Sequence, residues 1–386
     1  MLNINIAPYQ YQNSTQIIFG VGALDEVAKV AQWGNILLVT TSGMIKRGVT
    51  NQLANLLPKH NLTVHDIVGP EPQITDLEQA VGHFKLKSFD CVIGLGGGSA
   101  IDTAKIISCL LSDADFDLRA HLTKNEPLPE LHPIPVIAIP TTAGTGAEVT
   151  PFATVWDRSS GNKYSFSTNL LNPDIAILDP ALCLTVPRGI TLTTGLDALC
   201  QGLESLWSRQ RNPMAAAFAN QSVPIALSTL PKLLNDLKNQ DLRSLMLQSS
   251  LLAGLAISST RTTLSHSMSY PLTLRFGVPH GLACAFTIVQ VLRFNADADP
   301  DGLRWLVEPI GFDSVDALAV TIEGILSASY TYSTLSGLIP SKEAVLALAT
   351  ESLTPARADN NFTNASLADV ESILGESWGR MVTFSS

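Results

Sequence analysis

Charge and cysteine are both scarce in this sequence. Asp, Glu, Lys and Arg make up 15% of 386 residues, and acids outnumber bases 34 to 24, for a net charge of −10. That balance excludes a general nucleic-acid surface, which needs a basic stripe along a phosphate backbone. A local basic pocket for a small anion stays open. The five cysteines, at 91, 109, 183, 200 and 284, are odd in number and form no CxxC pair. Reduced, mostly buried thiols in a cytoplasmic protein are therefore expected. No apolar run reaches 18 residues before a Gly, Ser or charge interrupts it, so no membrane span is expected. The opening MLNINIAPYQYQNS has no basic stretch leading into an apolar run and does not read as a secretory signal. There is no internal repeat and no low-complexity segment. What is present is 46% apolar residues over a length sufficient for two domains and a sizeable core.

The first half alternates short β-rich runs with helical patterns. Strands are expected at 35–41, 61–68, 89–99 and 134–142, and helices at 49–60, 76–87 and 100–111. That alternation predicts a mostly parallel, doubly wound α/β sheet. The segment DPALCLTVPRG (179–189) carries two prolines and ends in Gly. Beyond it the pattern turns helical, at 194–209, 213–238, 241–258, 280–294 and 342–352. The reading is an α/β domain over 1–183 and an all-helical domain over 184–386.

Two turns in the first half suit a ligand. GLGGGSAIDTAK (94–105) follows a strand and opens a helix. Gly96, Gly97 and Gly98 let backbone approach a ligand closely, and helix-start N–H groups favour phosphate oxygens. It is neither GxGxxG nor a Walker loop. PTTAGTGAEVT (140–150) also follows a strand and offers the hydroxyls of Thr141, Thr142 and Thr145. Two such turns at the carboxyl ends of strands mark the edge where open α/β sheets bind ligands.

Of seven histidines, five (His60, His65, His83, His121, His132) fall in the first half at helix ends and loops and read as local or surface residues. The helical half has His266 and His280. With Asp197 from a third segment they would form a divalent-metal site of imidazole and carboxylate. An ordinary alternative is that Asp197 completes a T-x-x-D capping box with Thr194. Gln201 lies four residues after Asp197, on the same helix face.

GLGGGSAIDTAK, PTTAGTGAEVT, DIAILDPALCLTVP, TGLDAL and GVPHGLACAF occur in the order and at the spacing of the iron-containing, or group III, alcohol dehydrogenases, which this chain resembles over nearly its whole length. The resemblance implies a Rossmann-like nucleotide domain, a helical metal domain and an active site in the cleft between them, closing to exclude water. It implies that the GGGS turn, with Ser99 and Asp102, binds the cofactor diphosphate, that the TTAGTG segment lines the nucleotide site, and that Lys163 approaches the cofactor. It further implies Fe²⁺ or Zn²⁺ held at Asp197, Gln201, His266 and His280. The second of these positions is His in the family.

Two more positions depart from the family. Tyr270 stands four residues after His266, where many members have another His assigned to proton relay. A phenol can donate a proton but is a poor base at neutral pH. At the end of the first strand, where NAD-preferring members often carry Asp, this chain has Thr41 and Ser42. No carboxylate there repels a 2′-phosphate, so NADPH as well as NADH is expected.

The wording ISSTRTTLSHSMSYPLTLRFGVPHGLA (257–283) is similar to the phosphonoacetaldehyde reductases within the family. The implied reaction is reduction of phosphonoacetaldehyde to 2-hydroxyethylphosphonate, with Arg261 and Arg275 as candidate holders of the phosphonate. A general short-chain alcohol or aldehyde dehydrogenase and a metal-free nucleotide-binding pseudoenzyme are the alternatives. A homodimer, with N-terminal strands pairing across chains, is also implied.

Overall fold

The computed structural model describes residues 8–31, 34–113 and 115–384. The chain divides into two compact units, Asn13–Val186 and Pro187–Ser386, the latter joined by the segment ending at Gln12. In that segment Tyr11 donates its hydroxyl to the Leu255 carbonyl at 3.4 Å. The expected cross-chain pairing of N-terminal strands falls in part on residues 1–7, outside the described residues.

Among the described residues the α/β unit holds eight strands: β1 (Gln16–Phe19), β2 (Asn35–Thr40), β3 (Asn61–His65), β4 (Cys91–Gly96), β5 (Val136–Pro140), β6 (Phe152–Asp157), β7 (Asn162–Ser167) and β8 (Ile175–Leu178). Six of them form one sheet in the order β1-β8-β5-β4-β2-β3, and every neighbouring pair is parallel. The central strands are apolar throughout because both faces are covered. Alternate residues go to opposite cores: Leu37, Val39 and Val92 to one, Ile36, Leu38 and Ile93 to the other.

From β2 the chain moves outward to β3, then returns to the other side of β2 with β4. The winding therefore reverses between β2 and β4, and the carboxyl ends there are the expected ligand edge. Thr41 follows β2, the glycine turn follows β4, and the threonine turn follows β5, on three adjacent strands.

The β6–β7 hairpin was not legible as strands. It is antiparallel, with Trp156 opposite Lys163.

The second unit is helical, with no strand of either sheet among the described residues. Its long helices are Arg188–Trp207, Pro213–Asn235, Gln240–Thr260, Leu264–Phe276, His280–Asp297, Val315–Ala328 and Leu367–Phe384. The first of these starts well before 194. Pro187 precedes it with extended backbone, and the Thr194 hydroxyl donates to the Ile190 carbonyl at 2.9 Å. Thr194 thus lies inside the helix, and the capping-box alternative for Asp197 is excluded. The expected helix at 342–352 is only the short Lys342–Leu346. Among the described residues no helix is long and apolar enough to cross a membrane.

Candidate metal centre and nucleotide turns

The metal-site candidates come from three helices that must approach closely. Asp197 lies in the middle of Arg188–Trp207, His266 in the first turn of Leu264–Phe276, and His280 opens His280–Asp297. Gly281 makes the approach possible. A Cβ there would lie 1.9 Å from the Thr193 carbonyl oxygen and 3.2 Å from the Asp197 Cβ. Only a residue without a side chain lets backbone pass backbone at that distance.

The result is a cluster of donors. Asp197, His266, His280 and Cys284 each place a ligand atom within 4.8 Å of the others. Oδ1 of Asp197 and Nε2 of His266 stand 3.3 Å apart, both buried and neither in a hydrogen bond. Buried polar atoms nearly always find partners, and two that face each other without one suit a cation between them. The imidazole rings of His266 and His280 meet edge to face, 5.3 Å between centroids. Gln201, one turn after Asp197, is buried as well.

Glu204 was not anticipated. It lies two turns after Asp197 on the same helix and is fully buried. Its Oε2 accepts from Nδ1 of His266, while Oε1 accepts from the backbone N–H groups of Thr263, Ser265 and His266 and from the Thr263 hydroxyl, at 2.9–3.2 Å. One carboxylate therefore satisfies the exposed N–H groups at the start of Leu264–Phe276 and holds His266 with Nδ1 protonated and Nε2 turned to the cluster. Burial alone would raise the Glu204 pKa, but His266 and these donors bring it below the ordinary carboxylate value. Burial likewise opposes charge on His266; the surrounding Cys284, Glu204 and Asp197 reverse this and hold it well above the ordinary value. The pocket prefers a positive occupant.

Tyr270 lies against this cluster. Its ring stacks on His280 at 6.1 Å, and its oxygen accepts from Nε of Arg357 at 3.0 Å. Arg357 is a further residue that sequence reasoning missed, since no motif marks its segment. Arg261 is near enough for its charge to interact with this group: burial holds its pKa below the usual value, Arg357 lowers it further, and Tyr270 opposes the shift. Its backbone sits at φ 58°, ψ 176°, a region occupied almost only by glycine. Arg275 is exposed and paired with exposed Glu351 at 3.1 Å. A surface ion pair is the contact the structure gives it.

In the α/β unit the two expected turns touch. A Cβ on Gly98 would lie 2.8 Å from Cγ2 of Thr145, and Thr141 N–H donates to the Gly96 carbonyl at 2.8 Å. Thr142 packs against Gly97. Beneath them Lys105 is buried and donates to the carbonyls of Ala147, Thr150 and Phe152 at 2.6–3.0 Å. Asp102 pairs with Lys105 at 3.7 Å and accepts from Thr154 N–H at 2.9 Å. Lys105 thus anchors the end of the threonine turn from below, and the Asp102 carboxylate pairs with that lysine and holds the start of β6. Ser99 donates to the Pro70 carbonyl at 2.6 Å. Lys163 on β7 lies over the Trp156 ring at 5.1 Å. Thr41 and Ser42 stand at the start of the short helix after β2, with Ser42 exposed.

The geometry has clear counterparts. Residues 14–180 match the family described as iron-containing alcohol dehydrogenase, and residues 191–378 match the C-terminal region of the same family. A 1-propanol dehydrogenase of Salmonella typhimurium is 31% identical over 306 residues, 78% of this chain and 78% of that protein. A phosphonoacetaldehyde reductase of Streptomyces viridochromogenes is 33% identical over 308 residues, 74% of this chain and 76% of that protein. The crystal structure of a sulfoacetaldehyde reductase from Bifidobacterium kashiwanohense with NAD+ superposes with TM-score 0.89 at 28% identity, covering 96% of this chain and 99% of that one. With both halves matched and the donor cluster assembled, this chain belongs to the iron-containing alcohol dehydrogenases, an oxidoreductase family acting on alcohols and aldehydes.

Proposed function

We propose that the protein reduces an aldehyde bearing a terminal phosphonate, phosphonoacetaldehyde, to the primary alcohol 2-hydroxyethylphosphonate, with NADPH or NADH as reductant. The observation that carries this reading is the Arg357–Tyr270 hydrogen bond beside His280 of the donor cluster, with Arg261 near enough for its charge to interact with both Arg357 and Tyr270. Two guanidinium groups, one on strained backbone, form a site for a planar-forked clamp on a tetrahedral oxyanion. Likeness to the Streptomyces reductase and to the sulfoacetaldehyde reductase, whose substrates both end in such an anion, supports it.

The donor set fits a divalent ion such as Zn²⁺ or Fe²⁺ at Asp197, His266 and His280, with Gln201 one turn from Asp197. Bound there, the ion would supply Lewis acidity toward a carbonyl oxygen, and the nicotinamide would supply hydride. The residues of the chain do the rest. Glu204 fixes the His266 tautomer. Arg261 and Arg357 hold the anionic end and so set the distance of the aldehyde carbon from the cluster. Tyr270, accepting from Arg357, has its O–H as the proton to give the forming alcohol. The glycine and threonine turns cradle the cofactor diphosphate, and with Thr41 and Ser42 in place of a carboxylate, a 2′-phosphate is tolerated.

The test is NAD(P)H oxidation with phosphonoacetaldehyde and propionaldehyde. The phosphonate substrate should win in kcat/KM, and Arg261→Ala or Arg357→Ala should each cost it about 10- to 100-fold. Propionaldehyde should change little. Equal use of both aldehydes by the wild type leaves a general short-chain reductase and sinks the phosphonate reading.

A further inference from the structure

The family position one turn after Asp197 is Gln201 here, and the donor cluster contains a thiol that neither the motif nor the relatives' names account for. We infer that Cys284 is a metal ligand of this enzyme, its thiolate completing the set begun by Asp197, His266 and His280.

Cys284 lies four residues after His280 in His280–Asp297, so both side chains project from one helix face. That is the spacing by which a single helix offers two ligands to one ion. Its sulfur is 3.9 Å from the imidazole nitrogens of His280 and lies within 4.8 Å of the donor atoms of all three other residues. Bonds of about 2.0–2.1 Å to nitrogen or oxygen and about 2.3 Å to sulfur place neighbouring donors of a tetrahedral ion roughly 3.3–3.6 Å apart. The 3.3 Å between Asp197 and His266 already meets this, and the 3.9 Å from sulfur to His280 needs only a small contraction.

The chain thus trades one helical pair for another. Asp197 and Gln201 offer a carboxylate and a neutral amide, a weak donor. His280 and Cys284 offer an imidazole and a thiolate, a soft pair. On binding, a metal–sulfur bond forms and the thiol proton leaves to solvent. A thiolate turns the site toward Zn²⁺ and Co²⁺ and away from Mg²⁺ and Mn²⁺.

This inference rests on the metal-dependent reading above, and the two can fail separately. The experiment loads the metal-stripped full-length protein with Co²⁺ and records the near-ultraviolet spectrum, with X-ray absorption on the same sample. Cys91, Cys109 and Cys183 belong to the α/β unit, which leaves Cys200 as the control thiol in the helical one. The wild type and Cys200→Ser should show a thiolate-to-cobalt charge-transfer band and a sulfur shell at about 2.3 Å. Cys284→Ser should lose both. If Cys284→Ser does not fold, the sulfur shell in the wild type and in Cys200→Ser decides. Stoichiometric Co²⁺ without that band or shell, or a band that survives in Cys284→Ser, overturns the thiolate ligand while the metal site stands. No stoichiometric Co²⁺ in the wild type overturns both.

Discussion

Nδ1 of His266 donates to Glu204 while Nε2 of the same ring lies 3.3 Å from Oδ1 of Asp197. Seven residues separate the two carboxylates on one helix, two turns apart, and the imidazole is clamped between them. One face of the ring is thereby committed to protein and the other offered to a cation.

Glu204→Gln tests that clamp. The amide keeps the shape but must present N–H to a pocket already crowded with N–H donors. Metal affinity should fall about 10- to 100-fold, as when other partners of metal-binding histidines are removed. The buried donors left short should cost about 3 kcal/mol. Isothermal titration with Zn²⁺ and thermal melts of the metal-free protein read the two effects apart.

Gly281→Ala should damage the centre from the backbone. A methyl group 1.9 Å from the Thr193 carbonyl forces the two helices apart. Overpacking of this kind costs about 1–3 kcal/mol or more. The expected outcome is a lowered melting temperature with metal affinity lost together with it. Retained affinity at full stability would show that the helices accommodate a side chain there.

Arg261 holds a conformation that suits glycine. Arg261→Gly should therefore raise stability by about 1 kcal/mol, relief of the strain of a Gly-only region, while the advantage of the phosphonate substrate disappears. Denaturant midpoints and paired KM values check the two halves. Stability that falls instead would mean that the arginine side chain contributes more than its backbone costs.

Glu148 gives the α/β unit a pH dependence of definite sign. It is buried beside the threonine turn, Oε1 has no hydrogen-bond partner, and burial pushes its pKa up to about 7 from 4.5. Between those values the folded protein binds more protons than the unfolded chain, so stability falls as pH rises. Below about 4.5 the contribution is fully favourable, and above about 7 the loss is complete, at most about 3 kcal/mol. Glu148→Gln should flatten that slope, seen as midpoints of urea unfolding compared at pH 5 and pH 8. An unchanged slope would assign the pH dependence to other groups.

Much of this was legible, for physical reasons that also explain the gaps. β2, β4 and β5 are buried on both faces and read as unbroken apolar runs. β1 and β8 are four residues each, too short to announce themselves, and the β6–β7 hairpin is too polar. Asp197, His266 and His280 could be paired from spacing because they are scarce types in a helical half. Glu204 could not, since a glutamate on a helix is ordinary until its partner is seen. Cys284 looked like one of five scattered thiols. Arg357 meets Tyr270 across 87 residues, and no motif marks the arginine's own segment. Arg275 was singled out by nearness in sequence to two histidines, and the contact the structure gives it is an exposed pair with Glu351.

Gln201 remains the point where the chain leaves its family, and it carries the last prediction. It is buried one turn after Asp197 on the helix that supplies the carboxylate. A histidine there would restore the imidazole of the family. Gln201→His should tighten Zn²⁺ about tenfold or more, because imidazole is a far better donor than an amide oxygen. If Cys284 already completes the set, the gain should be larger in Cys284→Ser than in the wild type, since the new imidazole then fills a vacated position. Zinc titrations of the two single variants and the double variant form a closed cycle that reads this coupling directly. Additive effects would mean that Gln201 and Cys284 do not share an ion, and no change in affinity from Gln201→His would mean that position 201 faces away from it.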